Sequence, residues 1–407
     1  MPFTLEGLAL NSALMLLIAL SVFWLVIAVL HRIFRLDRFG VEIKPYLMLM
    51  WRTKRFNEFI GKLASRLAAF WRVFFTVGCF LAVGELMFTL KFLASNFATS
   101  LTGGGISPVV PLIPGVTISV NALPYFVISA VIVFCLHELA HGIAAVVEGV
   151  KLKSIGVIFF ILVVGGFAEL DDESVARAER LSRMRLLSAG STVNLLFGIL
   201  AVLMIANFAL VISPAFQPSQ GVVVLDVLSG TPAEKAGLQV GDVILAINGV
   251  RIHDVLSFHQ FMSGAPANST LILSLLRGDV VVKSSFHPLN SSRAFLGVRT
   301  FDYFPPKAWA SALTYMFPWH LYNFLSWFEV LSISAALINM LPIPFLDGNG
   351  FFEALLQAPA LMRRKVFLLN REMPLSEALL NVVRVASVLL LCLNMVQSFN
   401  VGGFSFP

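Results

Sequence analysis

Two histidines and a glutamate, His137, His141 and Glu138, stand in the stretch FCLHELAHGIAAVV, residues 134–147. At about 100° per residue, helix positions four apart lie roughly 40° apart and one turn along. Two imidazoles so placed can hold one Zn²⁺, and Glu138 between them can reach a water held by that ion. The HExxH pattern is short enough to occur by chance, so its surroundings decide its weight. Here they are apolar over a length that crosses a bilayer. Ionisable groups at such depth cost free energy and mark functional sites.

A catalytic zinc takes three protein ligands and keeps a fourth position open. Cys135, two residues before His137, points about 160° away from it on a helix and fails. Glu148 shares the histidine face but lies about 10 Å further along the axis. With zinc–oxygen bonds of about 2 Å, it fails as well unless the helix breaks. The stretch NMLPIPFLDGNG, residues 339–350, supplies the third candidate. Pro342 and Pro344 interrupt a helix there, and Gly348 and Gly350 permit tight turns. Asp347 is thus offered from irregular backbone at membrane depth, which survives only where protein or a cavity covers it. The sequence therefore predicts one Zn²⁺ per chain, held by His137, His141 and Asp347.

The elements that must position these residues are membrane spans. Apolar residues make up 58% of the 407 and charged residues only 13%, about half the charge of a soluble chain. The expected fold class is a polytopic α-helical membrane protein with about six spanning helices, near 8–30, 73–95, 124–147, 186–212, 319–341 and 377–398. Residues 31–72 carry ten Lys and Arg against three acids, whereas 95–123 carry no charge. Basic short loops stay in the cytoplasm, which predicts outward termini and a histidine pair in the cytoplasmic half of a cell membrane. The net charge of +6 then speaks to topology and contact with the lipid bilayer, and no nucleic-acid motif is present. Cys79, Cys135 and Cys392 read as small buried hydrophobes. Glu85 reads as a satisfied bundle carboxyl, with a gate or substrate-contact role as the alternative, and Arg384 as a side chain that can snorkel to the cytoplasmic face. His253, His259, His287 and His320 lack ligand spacing.

Four regions follow: 1–123 with two spans and a basic cytoplasmic loop, 124–212, 213–303 and 304–407. The segment KLKSIGVIFFILVVGGFAEL, 151–170, is rich in Val, Ile and Phe, is interrupted by Gly165-Gly166, and reads as membrane-dipping strands. Residues 213–303 are polar, alternate like strands, and carry the two-residue hairpin signal Asn248-Gly249. Their run SGTPAEKAGLQVGDVILAINGVRI resembles an α+β PDZ domain of the kind found in bacterial-type proteases. The topology makes that domain extracytoplasmic.

An HExxH helix, a later NxxPxxxxDG segment and a PDZ domain between them resemble the site-2 protease family of intramembrane metalloproteases. The likeness covers about residues 120–400. It implies zinc on His137, His141 and Asp347, with Glu138 as catalytic base. It also implies asparagines in the core spans, at Asn194 and Asn339, as substrate-binding residues. The family pattern Gly-Pro-x-x-Asn becomes Gly190 to Asn194 here, with Ser191 in place of proline. The implied activity is hydrolysis of peptide bonds within transmembrane segments of single-pass membrane proteins. The re-entrant strands would pair with the unwound substrate, and the PDZ domain would screen out bulky extracytoplasmic parts. A transporter would show an internal repeat, and none is present.

Overall fold

Twenty apolar residues in lipid have few options other than a helix that satisfies its own backbone. The computed structural model describes residues 5–44, 48–53, 55–113, 116–160, 163–288, 290–368 and 371–401. The chain divides into two compact units, one of residues 1–202 with 326–407 and one of 203–325.

The helices that carry the first unit are α1 (Leu5–Phe34), α2 (Arg55–Arg66), α3 (Ala68–Leu101), α4 (Leu123–Val147), α5 (Arg180–Ala206), α6 (Phe317–Asn339), α7 (Asp347–Leu356) and α8 (Leu375–Val401). Among the described residues five helices are long and apolar enough to cross a membrane: α3, α4 with the turn before it, α5, α6 and α8. The apolar part of α1 that can be assessed, Ser21–Phe34, is shorter than a span. The span expected at 186–212 starts earlier, at Arg180, and breaks at Asn207, which turns the chain into a separate short helix, Phe208–Ile212. Cys79 is buried, but Cys135 and Cys392 are exposed, on helix faces that the chain itself does not cover.

The basic loop between the first two spans holds more structure than its charge suggests. It forms β1 (Val41–Lys44), β2 (Met48–Thr53) and α2. The segment expected to dip into the membrane forms the antiparallel pair β3 (Leu152–Phe160) and β4 (Val163–Leu170). β2 pairs with β3 in register Trp51↔Val157, so all four strands make one sheet ordered β1-β2-β3-β4. Arg52 on β2 donates across β3 to Glu169 on β4 at 3.0 Å, and Ser154 donates to the same carboxylate at 2.7 Å. Meanwhile α2 buries Ile60 and Ala64, one turn apart, against Ala140, Ile143 and Ala144 of α4. Full burial of one such isoleucine is worth about 2 kcal/mol. The histidine helix is thereby held by α2 and by β4, which lies along it.

The second unit is built on β5 (Val222–Val227), β6 (Val243–Ile247), β7 (Val250–Arg251), β8 (Thr270–Leu275), β9 (Gly278–Lys283), β10 (Ser285–His287), β11 (Asn290–Phe295) and β12 (Val298–Asp302). The main sheet runs β12-β5-β6-β8-β9, with β7 on β6. Asn248 and Gly249 both have positive φ, as a tight hairpin between β6 and β7 requires. Inward residues Val222, Ile244, Leu271 and Leu273 meet Phe258 and Met262 of the helix Val255–Gly264 in one core.

A buried carboxylate closes this sheet. Asp242 accepts from Arg277 at 2.6 and 2.8 Å and from the Gln239 amide at 2.9 Å. The Arg277 hydrogen bonds hold its carboxyl below the usual value of 3.8. A depressed carboxylate stabilises the fold at pH above its unfolded pKa, and that contribution is lost as pH falls through the folded value. Amide-exchange protection of residues 239–243 is therefore expected to fall as pH drops below 3.8. Asp242→Asn should start less protected and lose that acid dependence; an unchanged acid profile in the variant would assign it to another group.

Candidate metal centre

Four elements of the first unit converge on one point. α4 presents His137 and His141, α7 begins at Asp347, α6 ends at Asn339, and α5 contributes Leu186, Gly190 and Asn194. His137 Nε2 lies 3.1 Å from His141 Nε2, and Asp347 Oδ2 lies 3.3 Å from the first and 2.9 Å from the second. Zinc bonds of about 2.0–2.1 Å at tetrahedral angles put neighbouring donor atoms roughly 3.3 Å apart. The three donors therefore match one face of such a tetrahedron.

The hydrogen bonds behind the donors support the same occupancy. His141 Nδ1–H donates to the Leu186 carbonyl at 2.8 Å, which fixes the tautomer and leaves its Nε2 lone pair facing the carboxylate. Two acceptors in contact need a proton or a cation between them. Asn194 Nδ2 lies 3.0 Å from His137 Nδ1; a cation on Nε2 would require Nδ1–H, which the amide accepts once its O and N are exchanged. Asn339 donates to Asp347 Oδ2 at 2.6 Å, and its own oxygen receives the Asp347 amide at 3.3 Å. Both histidines are buried. His137, His141 and Asp347 form the one such group of three found among the described residues, and the donor set fits a divalent zinc.

Two glycines make the approach of these elements close enough. A Cβ on Gly190 would sit 2.3–2.5 Å from three atoms of the His137 ring, so α5 can lie against the imidazole only through glycine. Gly190→Ala is expected to leave the helices folded, at a local overpacking cost of about 1–3 kcal/mol. It should displace the ring and lower turnover about 10²-fold, the usual effect of a misplacement near ~1 Å. Zinc titration and a cleavage assay on the purified variant check this, and full zinc affinity with normal turnover would contradict it. A Cβ on Gly166 of β4 would meet Glu138 Cγ at 2.5 Å, so the strand backbone passes directly over the half-buried Glu138 side chain. The Gly165-Gly166 pair, expected only as a strand break, is thus also a point of contact with the glutamate.

The remaining expected positions are also placed. The side chain of Glu148 is buried and engaged by Arg185 at 3.1 and 3.3 Å and by Ser182, which removes it from ligand duty. Ser191, where the family pattern has proline, lies well inside α5, eleven residues from its start, so the helix runs unbroken through Gly190 to Asn194. Glu85 on α3 is buried, and neither of its oxygens has a hydrogen-bond partner among the described residues. Arg384, expected to snorkel, donates from its guanidinium to Asn349 of α7 at 2.7 Å. Nothing in the residue pattern pointed to that pair, nor to the Leu186 carbonyl, whose backbone oxygen carries no residue-type signal.

A zinc-type donor set carried by apolar helices, with a glutamate between its histidines, is the arrangement of a membrane metalloprotease. Residues 125–373, well over half of the chain, match peptidase family M50, and the chain belongs to that family. A membrane-bound transcription factor site-2 protease homolog of Arabidopsis thaliana is 28% identical over 204 residues, 50% of this chain. The chain spans only 40% of the length of that relative. An uncharacterized protein of Methanocaldococcus jannaschii is 28% identical over 285 residues, covering 70% of this chain and 67% of its own length. A Clostridium perfringens protein named as a zinc metalloprotease is 24% identical over 301 residues, covering 59% of this chain and 84% of its own.

Proposed function

We propose that this chain is an intramembrane zinc endopeptidase that hydrolyses peptide bonds within the transmembrane segments of single-pass membrane proteins. The observation that carries the reading is the donor triangle of His137, His141 and Asp347 on apolar helices, with Glu138 in the same helical turn. Zinc held there supplies a Lewis acid and lowers the pKa of water towards neutrality.

The chain's own groups do the rest. Glu138 takes a proton from the attacking water and returns it to the leaving amine. Asn194 and Asn339, expected to bind substrate backbone, also orient His137 and Asp347 through the hydrogen bonds given above. A substrate helix hides its carbonyls in its own ladder and must unwind before attack. Among the described residues β4 is the edge strand of its sheet, beside Glu138, and an unwound segment can be received there as an added strand. The second unit, read as an extracytoplasmic PDZ domain, screens substrates by the bulk of their outer parts. The metal centre then lies in the cytoplasmic half of the bilayer.

The test is cleavage of a tagged single-pass segment by the purified full-length protein in detergent. A cut inside the apolar stretch, stopped by a zinc chelator, is expected. Cleavage that ignores the chelator, or a protein that holds no zinc and cuts no segment, would overturn the reading.

A further inference from the structure

The geometry points to Arg384 as a positioning residue for Asp347, acting through Asn349 and resting on the metal-centre reading above. α7 begins at Asp347 and has only ten residues. The chain reaches it from α6 through residues 340–346, where Pro342 and Pro344 interrupt the ladder and Phe345 takes φ 77°. No continuous helix therefore fixes the first turn of α7, and its lateral contacts must do so.

Two polar grips hold that turn from different sides. Asn339 holds the Asp347 carboxylate, as described. Asn349, two residues further on, points about 160° away from Asp347 on the helix, towards α8. There Arg384 Nε donates to Asn349 Oδ1 at 2.7 Å, and a second nitrogen donates to Asn381 Oδ1 at 3.3 Å. The guanidinium also reaches Glu353, one turn along α7, at 4.0 Å; that carboxylate is half exposed, so the pair adds little. The Asn349 contact is the one that carries position.

The far end of α8 is itself anchored. Asn394 accepts from Asn96 of α3 at 2.7 Å and donates to the Leu93 carbonyl at 2.9 Å. Ser398 accepts the Val109 amide at 2.8 Å. A helix pinned at that end gives Arg384 a fixed base from which to hold α7. An arginine inside an apolar span is costly to keep, which favours such a use over chance.

The experiment measures release of zinc alone to a competing chelator from full-length protein in detergent, beside the absorption spectrum of the cobalt-loaded form. The variants are Arg384→Ala, Asn349→Ala, the double variant and Arg384→Lys. Partners of ligands typically change metal affinity 10–100-fold. Each alanine variant is expected to release zinc about tenfold faster and to shift the cobalt bands. The double variant should release no faster than either single one, and Arg384→Lys should recover part of the loss. Asn349→Ala changes no charge, which keeps the test open if Arg384→Ala fails to fold. Singles that release zinc at the unmodified rate, or effects that multiply in the double variant, would overturn this role while leaving the metal centre intact. An unmodified chain that takes up no zinc would overturn both.

Discussion

Replacing Glu138 with glutamine is expected to leave one zinc per chain and to lower cleavage by about 10²–10⁴-fold, the range a positioned general base contributes. The side chain keeps its size, so the Gly166 backbone against Glu138 Cγ is undisturbed. The proposed ligands are untouched, because the donor triangle found among the described residues is made by His137, His141 and Asp347. What is lost is the ability to accept and return a proton. Zinc content and cleavage measured on the same preparation separate the two effects. Retained cleavage would remove Glu138 as the base. Loss of zinc would mean that its charge helps to hold the ion.

The parts of this architecture legible in sequence are those governed by local rules. Spans expected from 124, 319 and 377 lie close to α4, α6 and α8, since a long apolar run in lipid has few alternatives to a helix. The histidine spacing is likewise a property of one helix, and the structure brings His137 and His141 to 3.1 Å. The expectation of Asp347 as third ligand rests on eliminating Cys135 and Glu148 and on the proline break before it, and the structure brings its carboxylate to the histidine pair. Non-local pairing was not legible. β2 meets β3 across more than a hundred residues, and a short strand inside a basic loop carries little signal. The grip of α8 on α7 depends on Arg384 and Asn349 meeting in space, with no spacing rule to join them. Gly190 was visible as part of a motif, but the reason for it, the face of the His137 ring, needed the packing.

Asp347→Ala should have the other large effect, on the metal itself. The carboxylate is the only anionic member of the triangle, at 2.9 and 3.3 Å from the two imidazole nitrogens. Without it, two histidines hold the ion and the Asn339 amide loses its acceptor. Outer partners of ligands change affinity up to about 100-fold, so loss of a direct ligand should exceed that. Zinc added in slight excess should then wash out, and cleavage should fall with it. Asp347→Glu tests position as well as charge: the longer side chain starts from the same turn of α7, which Asn349 and Asn339 hold in place. It should regain part of the affinity with little of the cleavage, because an ion displaced by about 1 Å no longer aligns with Glu138. Undiminished zinc in Asp347→Ala would require another third ligand, and Glu148 is no substitute while Arg185 holds it.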